Sequence, residues 1–180
     1  MNQTAPVYWF DEIDSTSEEA KRRARRGETS AVWIAARQQS SGKGRLGRHW
    51  ASPPGNLYTT FLFPEAGGLK IASRIPFAAA LAVRDSCAAV TPDLGAVLKW
   101  PNDVRIRGQK ISGILTETGE TNGVLWIALG MGINLHETPS GVDQAATSLK
   151  QEGAPVALTP DVLLDHLRQQ VGRRIEQARN

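Results

Sequence analysis

The chain carries one cysteine, Cys87, in 180 residues, so it can form no internal disulfide, a usage that suits a reducing cytoplasm. That thiol lies in the apolar stretch AALAVRDSCAAV, where a buried, inert side chain is expected rather than a reactive one. No apolar run is long enough to span a bilayer, no secretory signal opens the chain, and no segment repeats at a fixed period. Neither sign of charge dominates. The net charge of +3, from 21 Lys and Arg against 18 Asp and Glu, does not by itself argue for a nucleic-acid partner. What is present is ordinary for a globular protein: 41% hydrophobic and 22% charged residues exclude a disordered chain. A chain of this length buries about 70% of the surface it exposes when unfolded, enough for one domain with a real core.

Patterning alternates between strand and helix along the chain. VYWFDEI, residues 7–13, predicts a strand. Asp14-Ser15-Thr16-Ser17 then precedes EEAKRRARR. A hydroxyl three residues before a glutamate is a capping-box signal, so a helix starts near Ser15 or Thr16, and Gly27 ends it. AVWIAARQ (31–38) and NLYTTFLF (56–63) read as strands, the second closed by Pro64. Residues 71–90 predict one long alanine-rich helix buried on one face. AVLKW (96–100) is a strand stopped by Pro101. Residues 103–107 and 110–117 are strands around the turn Arg107-Gly108-Gln109, and Asn122-Gly123 is a hairpin turn into VLWIALGMGINL (124–135). Residues 136–158 are the least regular. Thr159-Pro160-Asp161 supplies an N-cap, a proline and an acid for a final helix that runs almost to the end. Hairpin-linked strands with helices inserted between them predict an α+β fold with a mixed sheet and helices packed on it.

Gly42-Lys43-Gly44-Arg45-Leu46-Gly47 matches G-x-G-x-x-G letter for letter. A dinucleotide fingerprint requires the last glycine to open a helix. Here Gly47 leads instead into RHWASPPGN, and Ser52-Pro53-Pro54-Gly55 cannot lie within a helix. A Walker loop fails as well, because Gly44 and not Ser or Thr follows Gly42-Lys43. What remains is a glycine-rich loop with Arg37, Lys43, Arg45 and Arg48 and no acid among them. Such a loop can bring main-chain amides and guanidinium forks to an anion, or it can be a solvated basic turn.

A second stretch, KWPNDVRIRGQKISGILTE (99–117), places Lys99 and Asp103 on either side of a backbone-pinning proline, with Asn102 between them. Lys110 stands in an apolar strand, followed by Gly113, where a ligand could come close. Taken alone, Lys110 equally fits the solvent face of that strand. Gly130-Met131-Gly132-Ile133-Asn134 adds two glycines and an amide after a buried strand.

These pieces, in this order, resemble the biotin protein ligases. The resemblance runs over nearly the whole chain: DEIDSTS, RQQSSGKGRLGRHW, GNLYTTF, KWPNDV, GQKISGILTE and LGMGINL. It implies the biotin/lipoate protein ligase-like catalytic domain across residues 1–180. The N-terminal helix-turn-helix and the small C-terminal β-barrel of larger members are not matched, so direct DNA binding is not expected. It implies ATP-dependent formation of biotinyl-5'-AMP, with magnesium, in the cytoplasm. Transfer then follows to a lysine of the biotin carboxyl carrier domain of a carboxylase. No membrane partner is implied, and sheet-mediated homodimers occur in the family.

The resemblance also assigns roles residue by residue. Ser15, Thr16 and Gln39 are expected to hydrogen-bond the biotin head, with Gly42 and Lys43 along it and near the carboxylate. Gly113 and Leu115 line the biotin slot, and Lys110 approaches the activated carboxyl and the α-phosphate. Arg45 and Arg48 hold phosphates, and Trp50 packs against the adenine. Lys99, Asn102 and Asp103 serve the triphosphate, Asp103 with its magnesium, and Asn134 lies beside the nucleotide. Lys110, Lys43, Arg45 and Asp103 form the implied catalytic set. The chain departs from the family pattern in having Lys43 where arginine is common and Ser17 where asparagine often follows Ser-Thr. Two other readings compete: a lipoate or octanoyl ligase or transferase, and a non-catalytic biotin-binding module. The loop is expected to be mobile when empty and ordered over ligand, because a mixed anhydride must be kept from water.

Overall fold

The computed structural model describes residues 4–28, 30–91, 94–139 and 144–180. Seven strands form one mixed sheet: β1 (Val7–Ile13), β2 (Val32–Gln39), β3 (Leu57–Pro64), β4 (Val97–Lys99), β5 (Asp103–Ile106), β6 (Gln109–Thr121) and β7 (Val124–Ile133). Their order is β1-β2-β3-β7-β6-β5-β4. Only β1 and β2 pair in parallel, joined through helix α1 (Thr16–Arg25), and the remaining pairs are antiparallel. This is the α+β architecture with a mixed sheet that the patterning predicts.

Side-chain alternation divides the sheet into two faces. In β7, Ile127, Leu129, Met131 and Ile133 enter the main core, as do Trp33, Ala35, Phe61 and Phe63 from β2 and β3. Helices α3 (Ile75–Val90) and α4 (Pro160–Arg179) cover that face. The opposite face carries Val32, Ile34, Leu62, Trp126 and Ala128 against Ala20 and Ala24 of α1. By the same period of two, Gly130 and Gly132 continue the α1 face past the point where α1 begins. That uncovered stretch of sheet is where a cleft can form.

The two hairpins form at Arg107-Gly108 (φ 48° and 81°) and Asn122-Gly123 (φ 53° and 76°). Both central residues of each turn are left-handed, the geometry that matches strand twist. Strand β6 extends to Thr121, past the predicted end at 117. The long helix predicted over 71–90 is two helices, α2 (Gly68–Ala72) and α3. Pro76 lies in the first turn of α3. It has no N–H for the carbonyl of Ala72, and its ring opposes continuation from that side. The capping box also differs. Ser15 sits at the N-cap of α1 but makes no side-chain cap, and the amide of Thr16 donates instead to Oε1 of Gln39 on β2 at 2.8 Å. Thr159 does cap α4, accepting from the Val162 amide at 3.3 Å. Cys87 is fully buried, and burial pushes its thiol up to about 12, which leaves it inert.

The irregular segment after β7 is tied down by side chains rather than by a ladder. Asn56 is 1% exposed. Its Oδ1 accepts from the amides of Leu135, His136 and Glu137 at 2.9–3.0 Å, and its Nδ2 donates to the Glu137 carbonyl at 2.9 Å. Farther on, the chain runs beside Lys110, whose amide donates to the Ala145 carbonyl at 2.9 Å and whose carbonyl accepts from Thr147 at 3.0 Å. Asn56→Ala leaves three main-chain donors, that of Leu135 buried, without this acceptor. It is expected to lower unfolding free energy by about 2–3 kcal/mol, read from the urea midpoint at unchanged m-value.

Candidate active site

One cavity of about 850 Å³ opens on the α1 face of the sheet. Its floor is made of Gly113 on β6 and Gly130 and Gly132 on β7. The indole of Trp50 lies over this floor: a Cβ at Gly113 would come within 2.7 Å of the ring, and one at Gly132 within 2.6 Å. Trp50 Nε1 is buried with no partner, which leaves one donor for a ligand in the same space. Gly42 anchors the loop that delivers Trp50. Its carbonyl accepts from the Trp50 amide at 2.9 Å, and a Cβ there would lie 2.4 Å from the Trp50 carbonyl. No side chain fits at that position.

Lys110 reaches the cavity through a β-bulge. Asp103 pairs with Gly113 and Val104 with Ser112, but Arg105 pairs with Lys110, so Ile111 is extra. In a regular strand Lys110 and Gly113, three apart, would face opposite sides of the sheet; the bulge puts both on the cavity face. Ile111 turns into the core, and its carbonyl accepts from the Asn134 amide at 2.9 Å. Lys110 Nζ lies 2.7 Å from Asp103 Oδ1 and 5.1 Å from the Trp50 ring centroid.

Cationic side chains converge from separate segments. Lys43, Arg45 and Arg48 come from the glycine loop, Lys99 from the end of β4 and Lys110 from β6, and all line the one cavity. Arg45 Nη1 bridges to Asn102 Oδ1 at 3.4 Å, linking the loop to the 99–103 turn. Among the described residues that line it, Asp103 is the one carboxylate. The summed field is therefore positive, as an anionic ligand requires. Arg37 is diverted from this group: it stacks on Trp9 at 3.9 Å and forms a forked pair with Asp161 at the start of α4.

The polar end of the cavity lies at the start of α1. Thr16 and Gln39 line it. Gln39 is held at both ends, with Oε1 accepting from Thr16 and Nε2 donating to Ser52 Oγ at 2.9 Å. Thr16 Oγ1 accepts from Thr60 Oγ1 at 2.9 Å. Ser15 is fully buried, its Oγ paired with Ser17 Oγ at 3.2 Å, and Ser17 rather than Ser15 lines the cavity. Leu115, Asn102 and Asn134 also line it. Asn134 donates to the Thr147 carbonyl at 3.0 Å, while its Oδ1 is buried without a partner.

Thus thirteen expected site residues, Thr16, Gln39, Lys43, Arg45, Arg48, Trp50, Lys99, Asn102, Asp103, Lys110, Gly113, Leu115 and Asn134, share one cavity, whereas Ser15 and Gly42 do not line it. Sequence reasoning passed over Tyr58, Gln144 and Ala146, which also line it. Tyr58 sits in an apolar strand pattern, and the other two come from the segment without periodicity, so no local signal marks them.

The loop is rooted on β1. The amides of Ser40 and Ser41 donate to the carbonyls of Ile13 and Asp14, each at 2.9 Å. The Asp14 carboxylate takes both terminal nitrogens of Arg22 at 2.8 Å and the Ser15 amide at 2.7 Å. The hydrogen-bonded Arg22 guanidinium holds the Asp14 carboxyl down at about 2.

Comparison with known proteins supplies a second line of observation. Residues 9–134 match the sequence profile described as the biotin/lipoate A/B protein ligase family. The chain is 39% identical over 161 residues to a biotin–[acetyl-CoA-carboxylase] ligase of Paracoccus denitrificans, covering 86% of this chain and 66% of that protein. It is 35% identical over 149 residues to the bifunctional ligase/repressor BirA of Escherichia coli, covering 78% and 45% respectively. The chain thus spans two thirds or less of the length of these curated relatives. Among solved structures, it is similar to the biotin protein ligase from Aquifex aeolicus in complex with biotin and ATP. The TM-score is 0.79 at 28% identity, covering 96% of this chain and 71% of that one. The ligase from Leishmania major in complex with biotinyl-5-AMP gives a TM-score of 0.79 at 26% identity, covering 96% and 75%.

The Asp14–Arg22 pair yields a pH prediction. Asp14's folded value lies below its ordinary 3.8, so its contribution to stability is complete above about pH 4 and is lost as pH falls towards 2. The urea midpoints of wild type and Arg22→Gln are expected to differ at neutral pH and to converge through that window.

Proposed function

The chain belongs to the biotin/lipoate A/B protein ligase family, and on that premise we propose that it activates biotin with ATP to biotinyl-5'-AMP and transfers the biotin to a lysine of a carrier protein. The observation that carries this reading is the convergence of Arg45, Lys99 and Lys110, from three separate segments, on one glycine-floored cavity. A carboxylate must meet a triphosphate there, and only concentrated positive charge makes that encounter favourable.

In the first step a carboxylate oxygen of biotin attacks the α-phosphorus, the bond to the β-phosphate breaks, and pyrophosphate leaves. Negative charge grows on the phosphoryl oxygens. Lys110 is suited to stabilise it, because its backbone is hydrogen-bonded to neighbours on both sides and Asp103 holds its ammonium in place before the reaction begins. Arg45 and Arg48 offer planar forks for phosphate oxygens. In the second step the neutral amine of the acceptor lysine attacks the acyl carbon. The bond to the phosphate oxygen breaks, AMP leaves, and the amine loses a proton.

Thr16 and Gln39 suit the ureido head of biotin, whose buried polar atoms each cost about 1–3 kcal/mol if unpaired. This polar end favours biotin over a lipoyl or octanoyl chain, which carries no such group. The glycine floor makes room for the flat Trp50 indole, which any side chain at 113 or 132 would push out of the cavity.

Magnesium enters through its chemistry with ATP. No group of three or more His, Cys, Asp or Glu side chains that could cage a metal occurs among the described residues. One carboxylate in a basic cavity fits an ion that keeps its waters and is held mainly by phosphate oxygens. Asp103, with the neighbouring Asn102, would hold it, and its contribution would be to neutralise charge on the triphosphate.

Incubation with biotin, ATP and magnesium is expected to yield biotinyl-AMP detectable by mass, with no lipoyl or octanoyl adenylate when those acids replace biotin. Absence of any adenylate sinks the reading, and a lipoyl product reassigns the substrate. Lys110→Ala is expected to lower biotin-dependent pyrophosphate exchange by about 10²–10³-fold with circular dichroism unchanged. Near-normal exchange removes Lys110 from the chemistry.

A further inference from the structure

We propose that Glu18 is a positioning residue that holds the glycine-rich loop against the body of the protein through Lys43. Apart from main-chain bonds, the hydrogen-bonding side-chain ties from residues 43–49 to the rest of the described protein are two: Arg45 with Asn102 at 3.4 Å, and Lys43 with Glu18. The first is long and between an arginine and a neutral amide. The second is an ion pair, and it is braced. Glu18 Oε1 is also 2.7 Å from Lys21 Nζ, and Lys21 Nζ is 2.8 Å from Glu117 Oε1 on β6. Lys43, Glu18, Lys21 and Glu117 therefore form an alternating chain of charges from the loop, across the first turns of α1, to the strand that carries Lys110.

Exposure decides which end of this chain moves. The side chains of Lys21 and Glu18 are 15% and 21% exposed, while that of Lys43 is 46% exposed. Glu18 is held by a neighbour one helical turn away and is the fixed member; Lys43, on the glycine loop, is the one that comes and goes. A braced pair in a network of this kind holds better than an isolated surface pair. Lysine also suits the post better than arginine would. Its compact ammonium has three donors on a flexible stem, so Lys43 can keep Glu18 and still offer an N–H to an anion in the cavity that it lines. An anionic ligand and Glu18 then pull the loop to the same place, and release of the ligand requires this pair to part.

The consequence for biotin retention rests on the function proposed above; the consequence for the empty loop does not. In the protein without ligand, Glu18→Gln is expected to speed hydrogen exchange at the amides of residues 43–49 by about two- to five-fold, the range of a surface ion pair. If Glu18 works through Lys43, then Glu18→Gln adds nothing further in a Lys43→Gln background, a result that a merely structural role for Glu18 would not give. With biotin bound, Glu18→Gln is expected to raise the biotin dissociation rate by a similar factor. Loop exchange in Glu18→Gln equal to wild type, with normal circular dichroism, overturns the proposal, as do fully additive effects of the two substitutions. Wild-type protein that binds no biotin overturns the functional reading instead, and the loop exchange of the empty protein still decides the role of Glu18.

Discussion

The Lys110–Asp103 pair is the contact around which this molecule is arranged. It joins two neighbouring strands at 2.7 Å, and it exists because one residue, Ile111, is left over in the pairing of β5 with β6. The extra residue rotates Lys110 onto the face that carries Gly113 and Asp103, while Ile111 itself is buried in the core. One irregularity in the ladder thus does two things: it aims a cation at the cavity, and it secures the bend with an apolar anchor. Bulges beside functional sites act in this way, re-aiming a side chain that a regular strand would point elsewhere.

The space into which Lys110 points depends on unequal coverage of the sheet. One face is sealed by α3 and α4 over a continuous apolar core. The other is covered by the short helix α1, against a small cluster of Val32, Ile34, Leu62, Trp126 and Ala128. Beyond the start of α1 the same face continues with glycines at 113, 130 and 132, and the indole of Trp50 fills part of what they leave open. The helix start contributes too. Gln39 occupies the cap position that Ser15 leaves unused, so a β2 side chain is fixed where strand, helix and cavity meet.

Charge in the cavity is placed but restrained. Lys110 is matched by Asp103, Lys43 by Glu18, and Arg45 leans on Asn102. Each is a partner that a more highly charged ligand can share or displace, and each meanwhile holds its cation near the geometry it needs. Preorganisation of this kind is what makes fixed charge effective where negative charge develops.

Much of this was legible in the sequence. The period-two strands, the two hairpin turns at Arg107-Gly108 and Asn122-Gly123, and the capped final helix follow from local patterning that tertiary packing does not oppose. The failed fingerprint at Gly42–Gly47 was legible for the same reason: prolines at 53 and 54 forbid the helix that a dinucleotide turn needs. Where context intervenes, local reading falls short. Gln39 displaces Ser15 as the cap from twenty-four positions away, whereas the break that divides one expected helix into two is itself local, at Pro76. Arg37, counted with the basic loop, pairs with Asp161 from the far end of the chain. The sequence alone determined which side chains could do the chemistry, because residue type and motif order are local properties. Only the tertiary structure decided which of them meet, because a bulge at Ile111, the uncovered stretch of sheet and the ion pairs across α1 arise from contacts between segments that no local pattern records.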